Sequence, residues 1–301
     1  MHYACLPSDI PTDDEILSAN IGNIMDIPFS RWHLAIGKRR SRRHFNPNLP
    51  IAPETLAALD KVCNQFAPFP HARSRLVTES AESVFKGIIG GFGKVKGTPA
   101  FIAFIGNMDD PFVHEEVGYT GEGIILEATA LGLNTCWVGG FFRPEIVASL
   151  VEVNNKERVL AVTPVGYALE SESWEEKLMT GFGRSHNRLL ISELVGGLPR
   201  EKWPDWVKIC LKAARLAPSA ANRQPWGFDV QDDGITVFVR TGGPEFNVSK
   251  RLDCGIAMLH LEVATADCGR RGQWEFLPSP QVAKFKIYSR SVLLALTLGG
   301  R

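Results

Sequence analysis

EGIILEATALGL, residues 122–133, is apolar on most of its faces and stops at Gly132. A helix apolar all round has neighbours all round, and a glycine just past its last turn supplies the left-handed residue that ends it. Upstream, AFIAFIG (100–106) is a short unbroken apolar run after Pro99, the pattern of a strand covered on both faces. Helix and strand thus alternate along this part of the chain. The flanking stretches agree. APETLAALDKVCNQF (52–66) places Pro53 in a first helical turn and Leu56, Leu59, Val62, Cys63 and Phe66 on one stripe. After Gly132 come a strand TCWV (135–138), a helix PEIVASLVE (144–152) and a strand RVLAVTPVGYA (158–168).

Charged and glycine-rich sequence, ESESWEEKLMTGFGRSHNRLLISELVGG (170–197), then reads as a crossing segment. The pattern restarts with the amphipathic helix DWVKICLKAARLAP (205–218) and the hairpin WGFDVQDDGITVFVR (226–240), with Asp-Gly at its turn. LDCGIAMLHLEVATADCG (252–269) is a second buried helix that stops at a glycine. Ala67-Pro68 and Ala217-Pro218 close similar helices 150 positions apart (67 to 217), and LEATALG then Trp137 is echoed by LEVATADCG then Trp274, 137 apart (137 to 274). Two accounts fit: an internal duplication with drift, or patterns that any two α/β halves share.

The chain has 301 residues, with 33 Lys+Arg against 33 Asp+Glu, so no overall field draws nucleic acid or anionic lipid to it. Its six cysteines (Cys5, Cys63, Cys136, Cys210, Cys254, Cys268) form no C-x-x-C pair and no Cys/His spacing suited to zinc. A cytoplasmic protein without a metal site is expected. The N-terminal MHYACLPSDIPTDDEIL is acidic where a signal peptide is basic, and the longest apolar run, SVLLALTLGG (291–300), is too short to span a bilayer.

Against that neutral background KRRSRRHF (38–45) puts four arginines and a serine into positions 39–43. Alone it reads as a solvated basic face, a nucleic-acid patch or a cradle for one phosphate. The chain adds no basic stripe and no nucleic-acid motif, whereas guanidinium forks around Ser41 suit a cluster of anionic oxygens. GIIGGFGKV (87–95) is not a phosphate loop, because Ile88 and Val95 stand where Gly and Ser or Thr are required. No G-x-G-x-x-G follows a strand either. In APSAANRQPW (217–226) a helix gives way at Pro218 to small residues and then to Asn222, Arg223 and Gln224. Small residues admit a flat ligand and amides pair with its edge, though a helix-capping loop has the same composition.

Together, Arg39-x-Ser41-x-Arg43-x-Phe45, GLNTCWVGGF (132–141), PVGYA (164–168) and APSAANRQPW resemble the FMN-dependent nitroreductase family over most of residues 30–276. The resemblance implies an α+β, three-layer α/β/α fold. It also implies FMN at an interface, between Arg-x-Ser-x-Arg of one subunit and Pro-Ser-x-x-Asn of the other. Here the order departs from the family's, since APFPHARSRL (67–76) stands where the second motif belongs and APSAANRQPW lies far downstream. The tandem, single-chain subgroup accounts for this: a module at 30–170, a crossing segment at 171–200 and a shorter module at 201–301 make a monomer that mimics a homodimer, with one complete site.

By that resemblance Arg39 and Ser41 lie at the phosphate and ribityl chain and Arg40 belongs to the same cofactor-binding set, although alternation along an extended segment turns Arg40 and Arg42 partly elsewhere. Arg43 lies near flavin N1/O2, and Val138, Gly139 and Gly140 bring backbone to N5. Arg188, Pro218, Ser219, Ala220 and Asn222 complete the set. Lys86 and Lys94 are weaker candidates for the flavin carbonyls. Glycine pairs also make ordinary strand-to-helix turns. The implied activity is hydride transfer from NADH or NADPH through flavin N5 to a flat small-molecule acceptor such as a nitroaromatic or quinone. No protein acid, base or nucleophile is required, and His114, His186 and His260 read as surface or packed residues. A flavin-binding module without turnover, or a flavin enzyme of other chemistry such as reductive dehalogenation, fits the same residues.

Overall fold

The computed structural model of the protein describes residues 27–85, 94–169, 187–244 and 246–288. The first half runs α1 (Phe29–Lys38), α2 (Pro53–Gln65), β1 (Ala72–Val77), α3 (Ala81–Phe85), β2 (Ala100–Asn107), α4 (Val113–Ala130), β3 (Asn134–Thr135), α5 (Pro144–Val151) and β4 (Glu157–Gly166). The second runs α6 (Ile191–Leu194), β5 (Val195–Gly197), α7 (Asp205–Arg215), β6 (Trp226–Gln231), β7 (Gly234–Val239), α8 (Lys250–Asp267), β8 (Gly272–Phe276) and β9 (Gln281–Ile287).

β2 is covered on both faces, as its sequence requires. Ile102 and Phe104 join the core that contains α4, while Phe101, Ala103 and Ile105 meet Val84, Phe85, Val147 and Val151 of α3 and α5. The result is helix, sheet and helix in layers, a mixed α/β fold. The core around α4 continues through α8 into Phe228, Ile235, Val237 and Phe285 of the second sheet, so both sheets share one apolar interior.

The two sheets repeat one strand order. The first is β1-β2-β4-β3, and the second, after its edge strand β5, is β6-β7-β9-β8, with every pair antiparallel except β5 on β6. α4 and α8 each have 18 residues and open 137 positions apart (113 to 250), the spacing of the two tryptophans. Both end in one motif. Gly132 (φ +85°) donates to Thr129 O and Leu133 to Ala128 O, just as Gly269 (φ +71°) donates to Ala266 O and Arg270 to Thr265 O.

Three local expectations are corrected. α4 begins nine residues before the apolar run that announced it (113 against 122), because VHEEVGYTG, polar and glycine-rich in sequence, is buried against other elements. TCWV is not a continuous strand. Continuing the register, Cys136 faces Pro164 of β4, which has no N–H to give; Cys136 N–H turns to Thr163 Oγ1 at 3.1 Å, and pairing resumes only at Val138 and Val162. The hairpin closes at Gln231 and Gly234, so Asp232-Asp233 form its turn and Gly234 opens β7. SVLLALTLGG, most of GIIGGFGKV, Lys86 and His186 lie outside the described residues. Among the described residues no helix is long and apolar enough to cross a membrane.

Candidate functional site

α1 stops at Lys38, and the chain from Arg39 runs extended along the first sheet. Ser41 bridges to Thr135, Arg42 N–H donates to Thr135 O at 2.9 Å and Phe45 N–H donates to Lys96 O at 2.9 Å. Alternation then sorts the side chains. Arg40 folds back on the Gly37 and Arg39 carbonyls at 2.9 and 2.8 Å, and Arg42 reaches Leu169 O at 2.6 Å. Arg43 is tied by its carbonyl, which accepts from Lys96 N–H at 3.0 Å.

Arg39 turns inward. It is only 8% exposed, Nη1 donates to Ser41 Oγ at 3.3 Å, and its buried Nε has no hydrogen-bond partner. The nearest carboxylate oxygen is Glu122 Oε1 at 4.0 Å, within ionic but not hydrogen-bonding reach. Glu122, fully buried in mid-α4, is itself committed: Oε2 accepts from Trp137 Nε1 at 2.7 Å and Oε1 lies 2.8 Å from His260 Nε2. His260 Nδ1 is in turn 3.0 Å from Ala213 O. This chain of contacts ties the first-half arginine to α7 and α8.

From the second half, Arg188 Nη1 donates to Asn222 Oδ1 at 2.6 Å and Nη2 to Leu216 O at 3.1 Å. Asn222 Nδ2 and Gln224 Nε2 both donate to Asn187 O, and Gln224 Oε1 accepts from Leu189 N–H. Arg215 clasps the same stretch at the Leu189 and Arg188 carbonyls. Residues 187–189 are thereby sewn to the 216–224 bend.

The electrostatics show that the two halves meet here. Burial, joined by the charges of Arg39, Arg215 and Arg40 against the weaker pull of Glu122, lowers the Arg188 guanidinium to about 10. Burial likewise lowers Arg39, with Glu122 opposing. Arg39, Arg40 and Arg215 all bear on Arg188, Glu122 opposes only at Arg39 and Arg188, and Arg39 keeps an unanswered N–H. Such a site is short of an anion, and a phosphate group, with about −1.5 to −2 charge and several acceptor oxygens, matches the deficit.

The bend holds itself under strain. Ala221, Asn222 and Gln224 all have positive φ (49°, 53° and 45°) without being glycine. Ser219 Oγ accepts from Gln224 N–H at 3.0 Å, and Ala220 N–H donates to buried Asp253, which also pairs with Arg223 at 2.7 Å. Pro218 is buried at the start of the turn. A left-handed L-residue costs about 1–2 kcal/mol, so Ala221→Gly is expected to raise stability by up to about 1 kcal/mol, read as a higher melting temperature. A lower one would mean that the turn is not strained there.

Val138, Gly139 and Gly140 meet the second half at another segment. Val138 pairs with Val162, and a Cβ on Gly139 would stand 2.8 Å from Val248 Cγ2. The Val248 carbonyl accepts from Arg223 Nη2 at 2.8 Å, which links that turn to the bend. Of the residues expected from sequence, Arg39, Arg40, Arg188 and Asn222 come together, with Ser41 on Arg39. Ser219 and Ala220 spend their polar groups inside the loop. Glu122 and Arg215 were missed, Gln224 spends its amide on residues 187–189 rather than on a ligand edge, and His260, read as surface or packed, is packed as the partner of Glu122. The available signal was a carboxylate and an imidazole inside helices otherwise apolar all round.

The chain has a match among known proteins. The family model described as "Putative TM nitroreductase" matches residues 33–265. The chain belongs to this nitroreductase family. A crystal structure of a "putative nitroreductase" from Thermotoga maritima is 18% identical, with a TM-score of 0.58 over 85% of this chain and 93% of that one; it shares the fold. A nitroreductase family protein from Streptococcus pneumoniae (16% identical, TM-score 0.43, 55% of this chain and 99% of that one) is also similar. So is a nitroreductase with bound FMN from Bacteroides fragilis (17% identical, TM-score 0.38, 47% and 90%). No curated protein matches the chain.

Proposed function

We propose that the protein is an FMN-dependent oxidoreductase whose single site lies where the Arg39 segment meets the Arg188–Asn222 bend. The carrying observation is the excess of guanidinium charge at that junction, with the buried Arg39 Nε left without a partner. Arg39, Ser41 and Arg188 would hold the phosphate, with Arg40 and Arg215 adding charge and Asn222 fixing Arg188. Arg43, Val138, Gly139 and Gly140 are assigned to the flavin ring, and Pro218, Ser219 and Ala220 shape the wall opposite. Bound FMN supplies the hydride-accepting centre, through which NADH or NADPH reduces a flat acceptor such as a nitroaromatic or quinone. The chain's own work is binding and orientation. Glu122, held by Trp137 and His260, steers Arg39 without neutralising it, and the apolar interior behind it excludes water.

The same reading takes the chain as two fused modules, 30–170 and 201–301, joined by the 171–200 crossing and acting as a monomer. The repeated strand order and the matched helices α4 and α8 support it. The five described cysteines are free, which supports a reducing, cytoplasmic setting.

Purified protein is expected to be yellow, to carry one FMN per chain and to oxidise NADH or NADPH when a quinone or nitroaromatic is added. Colourless protein that takes up no FMN would refute the site, and two flavins per chain would refute the single-site arrangement. Tight FMN without turnover across donors and acceptors would leave a binding module instead.

A further inference from the structure

Three side chains with metal-ligating atoms converge among the described residues: His71, Asp110 and Glu116. Each is fixed by its own local structure. His71 precedes β1, and its carbonyl accepts from Asn107 N–H at 2.8 Å. Asp110 sits in the turn between β2 and α4, where Oδ1 accepts from Phe112 N–H at 2.7 Å and leaves Oδ2 facing His71 Nδ1 at 3.2 Å. Glu116, in the first turn of α4, brings Oε2 to 3.5 Å from the same nitrogen. All three ligand atoms lie within 4.8 Å of one another.

Two observations point to a cation between them. Ligands that share one ion at about 2.1 Å stand roughly 3.0–3.4 Å apart, and the two measured separations fall close to that spacing. Independently, Glu116 is only 4% exposed, yet its Oε2 has no hydrogen-bond partner, and neither has the buried His71 Nδ1. A buried carboxylate oxygen that faces a second carboxylate is costly unless positive charge answers it. The helix N-terminus contributes about half a unit of positive charge, less than two carboxylates present.

We propose that His71, Asp110 and Glu116 form a binding site for one divalent transition cation of the Zn²⁺ class. An imidazole nitrogen with two carboxylate oxygens selects such an ion over Mg²⁺ or Ca²⁺, which prefer all-oxygen sites. His71 and Asp110 are partly exposed, so the ion enters from solvent. The site is separate from the guanidinium cluster and does not depend on flavin.

The full chain, stripped with chelator, exposed to Zn²⁺ and desalted, is expected to retain one Zn²⁺ per chain by elemental analysis, and to retain no Mg²⁺ under the same treatment. His71→Ala and Asp110→Asn are each expected to lower Zn²⁺ affinity by about 100-fold or more, since even outer residues of metal sites are worth 10–100-fold. Asp110→Asn keeps an oxygen for Phe112 N–H and so preserves the turn; far-ultraviolet circular dichroism verifies the fold of both. Wild-type protein that retains no Zn²⁺ would overturn the site and leave a protonated His71 paired with two carboxylates. Folded variants that retain the full equivalent would overturn it as well.

Discussion

Arg39→Ala is expected to yield folded, colourless protein whose affinity for added FMN is about 100-fold below wild type, measured by flavin fluorescence quenching. A hydrogen bond to a charged group is worth about 1.5–3 kcal/mol, and the Arg39 fork is placed to make more than one of them with a phosphate. The fold has reason to survive. Glu122 loses a neighbour at 4.0 Å but keeps Trp137 and His260 at full hydrogen-bond strength. Asn222→Ala acts from the opposite half: it frees Arg188, whose Nη1 it now holds at 2.6 Å, and flavin affinity is expected to fall with it. Arg39→Lys keeps the charge but not the planar fork and is expected to fall between the two. Flavin held at wild-type affinity by Arg39→Ala would place the cofactor elsewhere.

What was legible in the sequence was whatever one segment decides alone. The unbroken apolar run of β2 and the glycine stop of α4 are local, and both stand where they were expected. The arginine cluster was conspicuous because the rest of the chain is neutral. The misses share one cause, a partner remote in sequence. TCWV fails as a strand because of Pro164, nearly 30 residues on, and the first turns of α4 read as polar until another helix covers them. Arg188, named by resemblance alone, has its partner Asn222 34 residues away, and Glu122 became interpretable only through His260, 138 away. Residue types announced an anion site, but their convergence is a property of the packed core.

Gly118→Ala and Gly255→Ala are each expected to destabilise the protein by about 3 kcal/mol or more, the upper end of overpacking costs. A Cβ on Gly118 would stand 2.0 Å from Leu252 O, and one on Gly255 would stand 2.1 Å from Glu115 O. Both obstacles are helix backbone, which no rotamer change can move aside, so α4 and α8 must separate along the line where the two halves share their core. The contacts are reciprocal: 118 and 255, like 115 and 252, are 137 positions apart, so each helix offers a glycine to the other's carbonyl at equivalent places. Two-fold interfaces have this form, which is why the costs should be nearly equal. For a chain of this size each melting temperature should fall by roughly 5 °C or more. Gly37→Ala in α1, where an added Cβ meets nothing within 4 Å, is the control and should stabilise by about 0.5–1 kcal/mol. If either core variant melts with wild type while Gly37→Ala behaves as stated, the two helices do not cross this closely, and the argument for a fused dimer loses its central contact.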